Sequence, residues 1–253
     1  MKCWASVLGD CSGKQSREHH MSAGLWKGRT VRVKGFPWLM GETRDIGVGS
    51  LQSRVLCEGH NHGLARTDAE AKKVLDTIER ILLELERNAN LRPRNAYRKP
   101  RTWYVDGRKF ERWAAKLLIG LLCAEQGDSS WHDTSSRMLE PPPWIVRATF
   151  DREKFDEPAG LYLASSYQGD LVSGQEAEPL THPQSGGIVG GYVGLAGIRF
   201  LIWLSREPVK EFEFPQPTGV ISPADRAELL YRTETLRFPI RNVVNQKLCF
   251  TWA

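Results

Sequence analysis

Two short stretches hold most of the chain's candidate chemistry. "CSGKQSREHHMS" (residues 11–22) brings Cys11, Glu18, His19 and His20 close together with almost nothing apolar around them. "LCEGHNHGL" (56–64) adds Cys57, His60, Asn61 and His62, and Cys3 lies just upstream of the first stretch. A structural zinc takes four thiolate or imidazole ligands in a closed tetrahedron. Cys3 and Cys11 offer one pair, across a wider gap than a standard zinc knuckle. Cys57 and His60 offer the other, and the two residues between them let both side chains face one ion. Taken singly, Cys3 or Cys57 reads as a small buried apolar residue. The histidine at the matching offset favours ligation. Glu18, His19, His20, Asn61 and His62 then remain, flanking the zinc ligands on both sides. Oxygen and imidazole donors suit a second, catalytic divalent ion, and a histidine beside it can take a proton from water. This is the equipment of metal-assisted hydrolysis, phosphodiester cleavage in particular.

Charge is distributed unevenly along the chain. Residues 1–126 hold 23 Lys/Arg against 14 Asp/Glu, whereas residues 127–253 hold 12 against 16, giving the overall +5. A basic half that also carries the Cys/His cluster points to a polyanionic partner such as nucleic acid. At 253 residues, 41% hydrophobic and 26% charged, the composition is that of a globular protein with a sizeable core. No run approaches the roughly 18 apolar residues of a membrane span. The N-terminus "MKCWASVLGD" lacks the apolar stretch of a secretory signal, so a cytoplasmic location is expected. Five cysteines in a reducing compartment favour metal ligation over a disulfide framework.

The elements that must position these residues follow from hydrophobic spacing. "TVRVKG" (30–35) and "SLQSRVLC" (50–57) read as strands. Val74, Leu75, Ile78, Ile81, Leu82 and Leu85 predict a helix, with Thr67 and Glu70 as its capping box. "LRPRNAYRKPRTW" (91–103) reads as a basic loop with Arg92, Arg94, Arg98, Lys99 and Arg101. A second helix follows in "DGRKFERWAAKLLIGLLCAEQG". Its apolar face includes Phe110, Trp113 and Leu117, and its opposite side carries Arg108, Arg112 and Lys116 as a basic stripe. Trp103, Tyr104 and Trp113 stand near these charges, either as base-stacking groups or as core. After "EPPPW" (140–144) the texture changes. "WIVRATF", "GLYLASSY", "GLAGIRFLIWLS", "TLRFPIRNVV" and "KLCFTW" read as strands, and "SPADRAELLYRT" (222–233) as a helix with Pro223 at its first position. "SGGIVGGYVGLAG" (185–197) has no Lys-Ser/Thr pair after it, so tightly packed strand and turns are expected rather than a phosphate loop.

"SREHHMS" followed by "LCEGHNHGLARTD" resembles the HNH endonucleases of the ββα-metal, treble-clef type. It is most similar to zinc-stabilised members with a Ser/Thr-x-Glu-His-x-x-Pro first motif and a Cys-x2-Cys-Asn second motif. The resemblance covers about residues 1–70. It implies Cys3, Cys11, Cys57 and His60 as structural zinc ligands and His19 as the general base. It also implies Glu18 and Asn61 as ligands of a catalytic Mg2+ or Mn2+, and a helix opened by Thr67 and Asp68. Ser22 replaces the usual proline, and His60 replaces a cysteine. The doubled histidine leaves open whether His19 or His20 is the base, and His62 is a further candidate ligand of either ion.

The expected architecture is therefore α+β. It comprises an N-terminal ββα-metal zinc domain (1–90), a basic loop with an amphipathic helix (91–140) and a mostly β domain (141–253). The implied activity is divalent-metal-dependent cleavage of DNA, with the basic loop and stripe gripping phosphates, in a bacterial or phage defence setting. The competing expectation is a treble-clef zinc module that binds nucleic acid or a protein without catalysis. A zinc hydrolase of another kind would need an open zinc site, which Cys-rich ligation normally closes. The region from 145 onward could bind a protein partner, a modified base or a regulatory ligand, and its sequence favours none of them.

Overall fold

The computed structural model describes residues 3–21, 29–89, 101–124, 141–164, 175–181, 187–206, 229–232, 234–240 and 244–252. Strand β1 (Gln15–His19) pairs antiparallel with β4 (Gln52–Cys57), and α1 (Glu58–Gly63) follows β4 without a break. Between the two halves of this pair, β2 (Thr30–Val33) and β3 (Arg44–Gly47) leave to join a different sheet.

The long helix α2 (Ala65–Ala89) buries Val74, Leu75, Ile78 and Ile81, as their spacing requires. It does not begin as expected. Thr67 Oγ1 donates to the Leu64 carbonyl instead of capping, because α1 already supplies helical turns ahead of it. Glu70, the other half of the expected box, accepts the backbone N–H of Asp106 at 2.7 Å.

Strand β5 (Thr102–Asp106) leads directly into α3 (Gly107–Cys123), which the Asp106 carboxylate caps by accepting the Lys109 N–H at 3.0 Å. Every residue from Phe110 to Leu122 is buried, Glu111, Arg112 and Lys116 included. Of the expected basic stripe, Arg112 and Lys116 are therefore buried and Arg108 is half-buried. Helix α2 packs on one side of α3, and sheet strands pack on others. An amphipathic pattern implies a wet face only when nothing covers that face, and here it is covered.

Past residue 140, Trp144–Phe150 is not a strand. Helix α4 (Pro143–Thr149) buries Ile145, Val146, Ala148 and Thr149, a helical spacing, and proline suits its first turn. Strands β6 (Gly160–Ala164), β7 (Gln175–Thr181), β8 (Ile188–Leu195), β9 (Ile198–Trp203) and β10 (Leu229–Tyr231) follow. Leu229–Tyr231 thus lies in a strand where a helix was expected, and residues 222–228 lie outside the described set. The glycine-rich stretch forms β8, as expected. Strands β11 (Thr235–Ile240) and β12 (Val244–Thr251) complete the chain's described elements.

Seven strands form one sheet in the order β10-β6-β9-β8-β7-β2-β3, with β2 parallel to β7 and the other pairs antiparallel. A three-stranded sheet, β11-β12-β5, sets β5 parallel to β12. Both sheets join early and late segments of the chain. One apolar cluster runs from Cys3 to Phe250, so the expected boundary near residue 140 does not divide the core. The protein is a mixed α+β structure, and no helix among the described residues is long and apolar enough to cross a membrane.

The β7–β8–β9 layer depends on close backbone approach. A Cβ on Gly190 would stand 2.5 Å from the Ile202 carbonyl oxygen, a main-chain atom that cannot swing aside. Gly190→Ala is expected to lower unfolding stability by about 1–3 kcal/mol through overpacking. Denaturant titration reads this directly.

Candidate metal centre

The chain turns sharply before β1. A 3-10 turn at Ser6–Leu8 ends on Gly9 in the left-handed region, with φ 81°, and so returns Cys11 toward Cys3. Cys57 closes β4, and His60 falls in the first turn of α1. The donors of Cys3, Cys11, Cys57 and His60 all lie within 4.8 Å of one another. His60 Nδ1 is 3.3 Å from Cys3 Sγ, 3.2 Å from Cys57 Sγ and 3.8 Å from Cys11 Sγ. Tetrahedral zinc with ordinary bond lengths would set such N–S edges at about 3.6 Å. Three thiols and one imidazole at these separations fit zinc, and they leave it no open position for substrate.

The neighbours of the donors suit that role. Burial pushes the Cys3 thiol up to about 12. Burial also opposes the Cys57 thiolate, but the His60 and Ser12 N–H groups and the Ser12 hydroxyl outweigh it and bring Cys57 down to about 6. His60 Nε2 lies 2.7 Å from Asp10 Oδ1, which places its proton on Nε2 and turns the Nδ1 lone pair toward the sulfurs. Asp10 in turn pairs with Arg152, whose Nη1 also donates to the Leu8 carbonyl at 3.2 Å. Hydrogen bonds from His60 and Arg152 hold the Asp10 carboxyl below its ordinary range. Phe150 meets the His60 ring edge-on at 5.1 Å and the Trp4 ring at 5.5 Å. The segment that ends α4 therefore closes over a centre built by the N-terminus. Asp10, Phe150 and Arg152 were missed from sequence. The acid next to Cys11 was the one visible signal.

The remaining candidate residues separate. Strand alternation sends Glu18 and His20 inward, both essentially without exposure, while His19 stays half-buried opposite Gln52. Glu18 is not placed to hold a hydrated catalytic ion. Its Oε1 lies 3.5 Å from Lys116 Nζ, which also bonds both Asp68 oxygens, at 3.0 and 2.8 Å. Burial lifts the Glu18 carboxyl to about 7 against the pull of Lys116. His20 is equally unsuited to be the base. Its Nε2 is 3.0 Å from Ser53 Oγ, and burial drops the imidazole to about 3, so the ring is a neutral core group. Asn61 Nδ2 donates to Ser16 Oγ at 3.0 Å, and His62 is exposed on α1. Asp68 lies in the first turn of α2, where the resemblance puts it, and is buried there. Among the described residues, the Cys3–Cys11–Cys57–His60 group is the one convergence of three or more His, Cys, Asp or Glu donors. The residues expected to hold Mg2+ or Mn2+ do not fit that ion.

The expected phosphate grip is also redistributed. Arg108 Nε donates to the Trp252 carbonyl at 2.8 Å, Arg112 pairs with Asp151, and Lys116 lies in the interior. Arg101 is exposed and reaches Glu84 at 3.1 Å. Arg92, Arg94, Arg98 and Lys99 lie outside the described residues. Trp113 is core, whereas Tyr104 is 63% exposed. No family model, curated protein or solved structure matches the chain.

Two outcomes are expected at this centre. The purified protein carries one zinc per chain by elemental analysis, and Cys57→Ala or exhaustive chelation lowers its melting temperature by well over 10 °C, since metal binding there is folding free energy. Asp10→Asn keeps the zinc but weakens it roughly 10- to 100-fold in competition with a chromophoric chelator.

Proposed function

We propose that the chain is a zinc-stabilised phosphodiesterase of the HNH type acting on nucleic acid, with His19 as the general base. The observation that carries this reading is the convergence of the four donors the resemblance implies, drawn from both ends of a 57-residue separation. Their frame supports it: β1 antiparallel to β4, with the helix that carries His60 and Asn61 following immediately. The three consecutive candidates also sort in its favour. Glu18 and His20 are sealed inside, and His19 alone of the three keeps access to solvent.

In this reading the zinc is closed and structural, and it holds β1 and α1 in a fixed relation. A water positioned at His19 gives its proton to the imidazole as its oxygen attacks phosphorus, the P–O bond to the leaving nucleotide oxygen breaks, and that oxygen takes a proton from solvent. Asn61, tied to Ser16, fixes the start of β1 against α1. No step passes through Glu18. Phosphate contacts fall to the basic run Arg92, Arg94, Arg98, Lys99 and Arg101, which binds backbone charge and reads no sequence.

The second reading is a zinc module that binds nucleic acid or a protein without cleaving anything. The pairing of Lys116 with Glu18 favours it, because an acid expected to serve catalysis is engaged elsewhere. One assay separates the two. Supercoiled plasmid is incubated with zinc-loaded protein, with and without added Mg2+ or Mn2+, beside His19→Ala. The nuclease reading expects nicking or linearisation that falls about 10²-fold or more in the variant. Retained plasmid binding with no cleavage by the wild type selects the non-catalytic module.

A further inference from the structure

Lys116 has the surroundings of a bound cation. Its Nζ faces the Asp68 carboxylate on one side and Glu18 on the other, and the three residues come from three elements, α3, α2 and β1. Lys116 is 1% exposed, Glu18 0% and Asp68 7%. Two carboxylates thus converge on a single ammonium in the interior, which is the arrangement of acids that a divalent ion commonly receives. His20 lies against the backbone of Gly120, where even a Cβ would come within 2.5 Å of its Nδ1. Neither Glu18 oxygen has a well-aligned hydrogen-bond donor, so Glu18 is held by charge alone. A hydrated Mg2+ or Mn2+ keeps several waters and binds oxygens at roughly 2.0–2.2 Å. That shell cannot coexist with the ammonium at this place.

Resting on the HNH-type reading of β1, β4 and α1, we infer that Lys116 is a built-in cation standing in for the catalytic divalent ion at Glu18. Zinc is then the one metal of this centre. Glu18 fastens β1 to α3 and is a positioning residue, and Lys116 holds β1 so that His19 points outward. Burying a charge trio is costly, and removing one partner from it leaves an uncompensated buried charge.

The test uses the full zinc-loaded chain and does not require catalysis. Mn2+ is titrated into wild type, Glu18→Gln and Lys116→Met, and free Mn2+ is followed by electron paramagnetic resonance. Wild type and Glu18→Gln are expected to take up the same Mn2+, with melting temperatures within a few degrees of each other. Lys116→Met leaves two uncompensated carboxylates and melts roughly 10 °C lower. Adding Glu18→Gln to it recovers part of that loss. A Mn2+ site present in wild type and lost in Glu18→Gln overturns the proposal, and so does a double variant no more stable than Lys116→Met. Should Lys116→Met fail to fold, the comparison of wild type with Glu18→Gln still decides. Plasmid cleavage is scored separately. Its absence overturns the nuclease reading and leaves the Mn2+ result to judge Lys116.

Discussion

Three sulfurs and one imidazole nitrogen within 4.8 Å of one another constrain the whole N-terminal third. To bring Cys3 and Cys11 to Cys57 and His60, the chain must fold β1 back along β4 and start a helix at once. The 32 residues between β1 and β4 (20–51) are then excluded from the pair, and they supply β2 and β3 to the large sheet. The candidate metal centre and the sheet are accordingly one structure. Loss of the donors' convergence would also misplace the strand that pairs in parallel with β7. The reverse dependence runs through Phe150 and Arg152, which close over His60 and Asp10 from beyond α4.

Helix α3 is the second organising feature, and its charges act inside the protein. Lys116 joins α2 and β1, while Arg112 joins Asp151 just beyond α4. Glu111 accepts from Arg232 at 3.1 and 3.0 Å and from the Leu161 N–H at 2.9 Å, which ties β6 and the residue after β10 to the helix. The buried ionic positions Glu111, Arg112 and Lys116 therefore meet different elements. Apolar surface supplies most of the driving force for burying such a helix, but it is nearly indifferent to rotation. The ion pairs fix which way α3 faces, because any other rotation leaves a charge buried without its partner.

Much of the site was legible because its signals are local. A Cys-x2-His pair on a strand-to-helix junction, two long apolar periodicities and a run of alternating strands are all properties of a few adjacent residues. The four donors could be named in advance because zinc accepts few residue types, and both pairs stood out against polar surroundings. The errors share one cause. The Arg108/Arg112/Lys116 stripe, the Glu18 ligand and the strand at 144–150 were each read as though one side faced water or one period were decisive. A charged helix face looks the same whether solvent or a carboxylate covers it. Asp68 and Asp151, which cover this one, lie about 50 and 40 residues away in the chain.

The amino-acid sequence by itself determined the donor set, the two long helices, most strands and the basic balance of the first half. These follow from side-chain chemistry and from periods of two and 3.6 residues, which need no knowledge of distant neighbours. Tertiary structure alone decided which of Glu18, His19 and His20 meets solvent, that Lys116 is interior, and that Asp10 orients His60 under a lid from α4. It also decided that early strands complete a late sheet. Those outcomes depend on which surfaces are left uncovered once the elements pack, and desolvation assigns a role to a charged or polar group only after its neighbours are in place.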